Sequence, residues 1–376
     1  MGYIIKHSRD KIPKLGFINL SGFYFWYFAA IGVYVIFFPK LLFDIGYKPV
    51  QIGVIMATAP LMRFISPFFF LKHIKLDKTI FKLSLYTTVL SLVLFYITID
   101  HFWFLVLNNV LLGLAFSLTL PYVEVIAISY LGKQRYGKSR LYGSVGFLSV
   151  ALILPKLSNI SYISLDFFLL SGFWTLVFGL FVIKLENTNK NSNDTITETF
   201  SMRRYIWFWI SLFFMQISMG GFYNFFTIYE TNAGFSLEIV SYLWAFGVFC
   251  EMIMLYFQAP ILKNNLVLII KISIFVTILR WLILYIYPQN LTLLYLSQAI
   301  HAFSFSLYHT AVVIFLYQIY KNKKLAQQFM FGVAYGLGGF VGAITSGWFY
   351  GEYLFLYCAV VAMVALVLLY QNGGHD

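Results

Sequence analysis

One stretch of this 376-residue sequence, residues 266–287, reads LVLIIKISIFVTILRWLILYIY. It has the length of a membrane-crossing helix, which needs about 20 mainly apolar residues because each backbone amide must be satisfied within its own segment. The rest of the chain repeats this character and predicts an all-α polytopic membrane protein with twelve transmembrane helices. The predicted spans cover residues 17–38, 50–71, 79–99, 102–131, 138–154, 163–183, 205–229, 237–260, 265–287, 291–319, 325–349 and 352–370.

The composition excludes a soluble globular protein, since 61% of the residues are hydrophobic and only 11% are charged. The first apolar segment is too long for a signal peptide and lacks a small-residue cleavage pattern, so we expect it to remain as an anchor. Cys250 and Cys358 lie in apolar segments and indicate neither a disulfide framework nor a metal site. We therefore expect no metal and no cofactor.

The basic residues are distributed unevenly among the loops. All but five of the 26 lie in the N-terminal tail or in every second loop, and the alternate loops hold only Lys40, Lys48 and Lys156. Lys and Arg are enriched in cytoplasmic loops, so both termini are predicted to be cytoplasmic. This pattern also accounts for the net charge of +12 without a nucleic-acid partner. The last two basic residues, Arg63 and Arg280, fall inside predicted spans.

The chain is predicted to consist of two related halves. The long polar stretch LENTNKNSNDTITETFSM begins at residue 185, and we expect an N-terminal six-helix bundle (1–184), a cytoplasmic linker (185–203) and a C-terminal six-helix bundle (204–376). An offset of 188 residues superposes Phe37 on Phe225 and Arg63 on Glu251. Parallel repeats of this kind are the plan of secondary transporters, with the binding site between the halves at mid-depth.

Several glycines recur in the fifth and eleventh predicted spans, at positions 143, 146, 336, 339 and 342. Small residues on membrane helices usually mark close helix packing, which we favour over a direct role in binding. Gly332 and Gly336, like Gly338 and Gly342, keep the four-residue spacing that places each pair on one helical face.

Six charged or histidine side chains are predicted to lie at bilayer depth within the spans: Arg63, Glu124, Glu251, Arg280, His301 and His309. Such a group at bilayer depth costs at least about 2.5–3.5 kcal/mol, so it is retained where it faces a cavity or a partner. Two alternatives stay open. The charges could form ion pairs that only lock helices together, or Glu124 could extend to the membrane surface.

For four of these residues we predict a role in proton coupling: Glu251, Arg280, His301 and His309. An apolar cavity disfavours the ionised form of a carboxyl group, so Glu251 is the candidate proton carrier. The two histidines lie broadly on one side of the tenth span and could relay protons, bind substrate or serve only as packing partners. Arg63 and Arg280 offer planar forks suited to a carboxylate.

The predicted substrate-binding residues are those intramembrane groups that could line a cavity around these charges: Arg63, Glu124, Tyr24, Tyr27, Asn109, Tyr223, Trp244 and Gln298. The alternative for the aromatic ones is core filling or a position at the membrane interface.

The segment YGKSRLYGSVGF (136–147) resembles a signature of the major facilitator superfamily, in its 3-phenylpropionate permease branch, which is related to lactose permease and the nucleoside-proton symporters. Pro121 and Glu124, the run YLWAFGVFCE (242–251), and Gln298, His301, Phe305 and His309 add to the resemblance. The sequence departs from that superfamily between the second and third spans, where the usual glycine- and arginine-rich loop is reduced to LKHIKLDK (71–78).

The resemblance implies a monomeric twelve-helix carrier of the bacterial inner (plasma) membrane that imports a small solute with protons by alternating access. In such carriers, acid, arginine and histidine residues on spans eight to ten couple the proton to the substrate. A symporter of an aromatic or other carboxylate is the favoured function. A nucleoside or sugar symporter and an exporter of the same fold stay open as alternatives.

An enzyme is not expected. The sequence contains no His-Glu-x-x-His pair, no Gly-x-Ser-x-Gly elbow and no nucleotide-binding loop, so an intramembrane enzyme acting on lipid is a remote alternative.

Overall fold

The computed structural model of the chain describes residues 14–72, 76–157, 162–186 and 201–371. Within these residues the regular structure is helical and contains no strand. Twelve helices are long and apolar enough to cross a membrane, as the sequence predicts. They are α1 (Lys14–Asp44), α2 (Pro49–Phe68), α3 (Lys78–Thr98), α4 (Phe102–Gly132), α5 (Arg135–Leu157), α6 (Ile163–Leu185), α7 (Arg203–Asn232), α8 (Leu237–Phe257), α9 (Leu266–Ile286), α10 (Leu291–Ile319), α11 (Leu325–Trp348) and α12 (Leu354–Gln371).

Three of these helices contain a π-helical turn: α1 at Val33–Phe37, α10 at Phe303–Leu307 and α11 at Phe331–Gly338. Such wide turns are rare and are frequent at functional sites. In α1 the helix continues beyond the turn as the segment Phe38–Asp44, with Pro39 in its first turn. This continuation makes α1 six residues longer at its end than the predicted span.

Polar residues at the helix starts explain several of the boundaries. Asp77 accepts hydrogen bonds from the backbone N–H groups of Thr79 and Ile80, both at 2.9 Å, and so caps α3. Ser236, Asn265, Asn290 and Asn322 cap later helices in the same way. A cap of this kind stabilises a helix by about 1 kcal/mol. Residues 73–75 of the shortened loop before α3 lie outside the described residues.

The helices pack mainly within two groups, α1 to α6 and α7 to α12. In the first group α1 contacts α4, α5 and α6, while α4 also packs on α2 and α3. In the second group α12 packs on α7 and α9, α10 packs on α8 and α9, and α11 packs on α7. Of the predicted linker, residues 187–200 lie outside the described residues.

The two groups contact each other in two places, of which the first lies at one side of the protein. Helix α1 begins and α12 ends on the same side, which we call the terminal side, and we call the opposite side the distal side. At the distal side residues 33–44 of α1 contact residues 220–232 of α7, and the end of α5 contacts α8. The ring of Tyr350 lies 6.2 Å from that of Phe43 and 5.3 Å from that of Phe225. The two halves therefore touch where α1 and α7 end.

Helices α2 and α11 form a second contact between the halves, and glycines make it close. A methyl group on Gly336 would lie 2.8–2.9 Å from the backbone N, Cα and Cβ of Phe64, whereas one on Gly332 would be 3.8 Å from the Phe64 ring. Gly338 and Gly342 instead face α7, where a methyl group would meet Phe213 and Ile217. The prediction that each pair shares one helical face is confirmed.

Candidate functional site

Three predicted residues from three helices form one hydrogen-bonded chain in the second half. Oε1 of Glu251 on α8 lies 2.7 Å from Nε2 of His301 on α10. Nδ1 of the same imidazole lies 2.8 Å from Nη1 of Arg280 on α9. The imidazole thus bridges a carboxylate and a guanidinium that do not touch each other.

The two hydrogen bonds of the His301 imidazole fix its tautomer. A guanidinium group only donates hydrogen bonds, so Nδ1 of the imidazole must accept from Arg280. The ring proton is then on Nε2, which donates to Glu251. In this arrangement His301 is neutral and the negative charge of Glu251 balances the positive charge of Arg280 through it.

Arg280 is fully buried and held from several directions. Its Nε donates to the carbonyl oxygen of Ser297 at 3.1 Å, and its Nη2 donates to Oε1 of Gln298 at 3.2 Å. The guanidinium lies 4.0 Å from the centre of the Phe222 ring and 4.5 Å from that of Trp281. Aromatic faces attract cations, so these rings stabilise a charge that has left water. Gln298, predicted to bind substrate, is here a partner of Arg280.

His309 lies on the same side of α10 as His301, as its spacing predicts, but it has a different partner. The Phe305 ring stacks between the two imidazoles, at 5.8 Å from His301 and 6.2 Å from His309. Nδ1 of His309 lies 2.7 Å from the hydroxyl oxygen of Tyr335 on α11. The structure thus brings together Glu251, Arg280 and His301, while His309 belongs to a separate pair.

Arg63 of α2 is exposed, and no hydrogen bond or ion pair involves it within the part of the chain that the structure describes. Arg63 is close enough for an electrostatic interaction with Tyr27 of the first half and with Tyr223 and Tyr335 of the second. The charge of Glu251 acts on the same two tyrosines of the second half. Arg63 and Glu251, which the repeat places at equivalent positions, therefore lie near the same two tyrosines from opposite halves.

Glu124 of α4 is part of another group, on the terminal side of the first half. Its Oε1 lies 3.8 Å from Nε of Arg140 and accepts a hydrogen bond from the Tyr136 hydroxyl at 3.3 Å. The Arg140 guanidinium covers the rings of Phe28 and Tyr24, at 3.9 and 5.5 Å. Both members of the Glu124–Arg140 pair keep about a third of the side chain accessible, with exposures of 36% and 32%.

The remaining predicted substrate residues lie inside the packed helices. The Tyr27 hydroxyl donates to the carbonyl oxygen of Phe116 at 3.3 Å. Nδ2 of Asn109 donates to the carbonyl oxygen of Ile55 at 2.6 Å and so joins α4 to α2. Nε1 of Trp244 donates to the Thr227 hydroxyl at 3.0 Å. Among the predicted substrate residues, Arg63 is exposed, and Glu124 and Tyr223 are partly exposed.

Sequence reasoning missed three residues of these groups. Tyr335 lies among the glycines of the eleventh predicted span, and Tyr136 begins the motif at 136–147, but neither is singled out by the sequence. Arg140 was counted among the basic residues of a loop, although it lies inside α5. Glu124 on the preceding helix is the feature that could have indicated a role for Arg140, because an acid inside a span needs a partner.

Known proteins resemble the chain in sequence over nearly its whole length. A family model described as the MFS_1 like family matches residues 17–359. A protein of Escherichia coli (strain K12), named probable 3-phenylpropionic acid transporter, is 25% identical over 363 residues, which cover 92% of this chain and 95% of that protein. An uncharacterized transporter of Bacillus subtilis (strain 168) is 24% identical over 370 residues, covering 94% of this chain and 90% of that one.

Solved structures resemble the chain in fold. The nucleoside transporter NupG superposes with a TM-score of 0.79 at 16% identity, covering 96% of this chain and all of that one. A bacterial homologue of the human lysosomal transporter Spinster, in an inward-facing and occupied conformation, gives 0.72 at 12% identity, with 96% and 97% covered. These matches confirm the fold expected from the resemblance, and they are to transporters and not to enzymes.

Proposed function

Because this chain belongs to the MFS_1-like family and is a major facilitator transporter, we propose that it moves a small organic carboxylate across the membrane together with protons. Transport follows alternating access, in which the space between the halves opens to one side at a time. The observation that supports the proposal most is that Arg63 and Glu251 approach the same two tyrosines from opposite halves. Among the described residues Arg63 has no hydrogen-bond or ion-pair partner, whereas Glu251 is bound to His301.

The charges of the site explain how a proton and an anion would load together. With Glu251 ionised, its charge balances that of the buried Arg280 through His301. A proton on Glu251 removes that negative charge and leaves the buried Arg280 uncompensated, in addition to the exposed Arg63, which has no partner among the described residues. An uncompensated charge in a buried site costs several kcal/mol. A substrate carboxylate offsets this cost, so its binding and the protonation of Glu251 favour each other.

The surroundings of Arg63 favour an aromatic carboxylate. Its planar fork can bind both oxygens of a carboxylate. Tyr223 and Tyr335 lie within reach of its charge and offer ring faces for an aromatic group. The relative from Escherichia coli bears the name of a 3-phenylpropionic acid transporter, and 3-phenylpropionate combines a carboxylate with a phenyl ring. We therefore take 3-phenylpropionate as the first substrate to test.

An uncharged, hydroxylated solute such as a nucleoside or sugar is the second candidate. The Glu124–Arg140 pair favours it, because two half-exposed polar groups 3.8 Å apart can exchange hydrogen bonds with hydroxyls of a ligand. Such a solute would bind in the first half without needing the charge of Arg63.

We also propose that both termini are cytoplasmic and that the protein resides in the bacterial inner membrane. The bias of Lys and Arg toward the terminal side supports this orientation. The distal side, where α1 and α7 touch, is then the extracellular side. An engineered cysteine at Lys48, which is exposed at the distal side, should then react with an impermeant thiol reagent added to intact cells.

Uptake into vesicles tests the function directly. Purified protein in vesicles with an inward proton gradient should accumulate labelled 3-phenylpropionate but not its neutral alcohol analogue. Glu251→Gln should still exchange labelled for unlabelled substrate, yet lose accumulation, because the amide cannot release a proton. Gradient-driven accumulation that survives in Glu251→Gln would show that the proton role is wrong. Accumulation of nucleosides or sugars in place of carboxylates would favour the second candidate.

A further inference from the structure

Glu230 is a buried acid that the proton-coupling group does not use. It lies on α7, two positions before the helix ends at Asn232, and its side chain is fully buried. Within the described residues, neither carboxylate oxygen has a hydrogen-bond partner and no Lys, Arg or His forms an ion pair with it. It falls just beyond the predicted end of the seventh span and so escaped the sequence analysis.

Among the described residues, the charged and titratable groups around the distal part of α7, including the neighbouring Tyr229, provide no hydrogen-bond or ion-pair partner for Glu230. Lys40 and Asp44 of α1 pair with each other, and Glu238 of α8 accepts a hydrogen bond from Tyr242. Further charged or titratable side chains occur on the neighbouring elements. They are Tyr34 of α1, Lys48 just before α2, Arg63 of α2, Tyr285 of α9, Tyr335 of α11, Tyr350 and Glu352 between α11 and α12, and Tyr353, Tyr357 and Cys358 of α12.

An ionised carboxylate cannot remain in such a position. Burying a charge without a partner costs several kcal/mol even after relaxation, and the group takes up a proton instead. Glu230 is therefore neutral in this conformation. A glutamine or a leucine would fill the same place without this requirement, so packing alone gives no reason for an acid here.

The surroundings of Glu230 are the contacts that close the distal side. The neighbouring Tyr229 packs edge-on against Phe355 of α12, at 4.8 Å between ring centres. Asn232 donates a hydrogen bond to the Tyr350 hydroxyl at 2.9 Å, and Tyr350 contacts α1 through Phe43. Separation of α1 from α7 would loosen this layer and admit water to Glu230.

We propose that Glu230 is a second proton-binding site, which must take up a proton before the distal side can close. In the distal-open state water reaches the carboxylate and it ionises. In the distal-closed state it is buried and neutral. The proposal rests on the alternating access of the proposed function but not on the identity of the substrate or on Glu251.

The sign of the pH effect follows from this linkage. Closing consumes one proton from the distal solution, so low pH favours the closed state and high pH favours the open one. Where the hydrated carboxylate is ionised, the ratio of closed to open protein falls about tenfold for each unit of rising pH. For an importer this means that acid outside drives closure after loading.

A distance measurement without transport tests the proposal. Spin labels at Lys48→Cys and Gln289→Cys, two exposed distal positions on opposite halves, are introduced after Cys250→Ala and Cys358→Ala. The population with a long label distance should rise with pH. Glu230→Gln should remove this pH dependence and keep the distal side closed, because the amide mimics the protonated acid. Glu238→Gln, which changes an exposed acid on the same side, should behave like the parent protein.

Two results of the distance measurement would overturn the proposal: label distances in the parent that do not change with pH, or a pH dependence that survives intact in Glu230→Gln. Infrared spectra give an independent check on folded protein. The band of protonated carboxyl groups at neutral pH should weaken in Glu230→Gln, and an unchanged band would also overturn the proposal. A failure of the proposed function would appear elsewhere, as lack of gradient-driven uptake with the pH response of the labels intact.

Discussion

The two halves of the molecule place opposite charges at equivalent positions and treat them differently. Arg63 in the first half is exposed and unpaired within the described residues, whereas Glu251 in the second half is bound to His301 and through it to Arg280. A duplicated scaffold thus presents one position prepared for a ligand and one position prepared for a proton. Two halves with the same fold therefore do not need side chains of the same charge at equivalent positions.

The sharpest test of this difference compares two arginines. Arg280→Gln leaves the carboxylate of Glu251 without its balancing charge, and the loss of one partner of a buried pair costs about 3–5 kcal/mol. Arg63→Gln removes an exposed charge that has no partner among the described residues, so its effect on the free energy of unfolding should stay within about 0.5 kcal/mol. Thermal unfolding in detergent, followed by tryptophan fluorescence, measures both. Equal losses in the two variants would contradict the comparison.

The ligand role of Arg63 predicts the next largest effect. A hydrogen bond to a charged group contributes about 1.5–3 kcal/mol, so Arg63→Gln should weaken binding of 3-phenylpropionate roughly 10- to 100-fold. Arg63→Lys keeps the charge without the planar fork and should give an intermediate Kd. Calorimetric titration measures the affinities, with Lys48→Gln as a control that should bind normally. Unchanged affinity in Arg63→Gln would place the anion elsewhere.

The contact between α2 and α11 should respond to a single methyl group. Gly336→Ala places this group 2.8–2.9 Å from Phe64, and such overpacking costs about 1–3 kcal/mol. We expect slower exchange of substrate in vesicles, since overpacking at a contact between the halves hinders their movement against each other. Gly332→Ala meets Phe64 only at 3.8 Å and should exchange at the normal rate. If both variants slow exchange equally, the close approach at Gly336 is not the cause.

His301→Gln should have the smallest effect of the four. A glutamine amide can accept from Arg280 through its oxygen and donate to Glu251 through its nitrogen, which reproduces both hydrogen bonds of the neutral imidazole. Gradient-driven uptake should therefore survive in His301→Gln and be lost in His301→Leu, which offers neither bond. If His301→Gln exchanges substrate but no longer accumulates it, the imidazole itself carries the proton.

The twelve spans could be predicted from the sequence because length and apolar character alone decide them in a membrane. The group of Glu251, Arg280 and His301 could also be predicted, since each is a costly charge or titratable group in neighbouring spans. The separation of His309 from this group could not, because it depends on which tyrosine of α11 lies opposite. Spacing along one helix contains no information about the facing helix.

Other parts of the site also depend on three-dimensional contacts. Asn109 and Gln298 are polar residues in apolar spans, and the sequence cannot distinguish a ligand contact from the helix-to-helix hydrogen bonds they make. Glu230 lies near a helix end, where an acid is usually hydrated. Only the packing of α7 against neighbouring helices shows that it is buried.

The glycine-lined contact of α2 with α11 has a consequence for leakage. Where backbone meets backbone, no long side chain has to find a new rotamer when the halves tilt, so the contact can stay continuous throughout a cycle. A continuous contact leaves no path for sodium or water along that edge of the protein. The contact of α2 with α11 thus allows the halves to tilt without opening an ion leak along this edge.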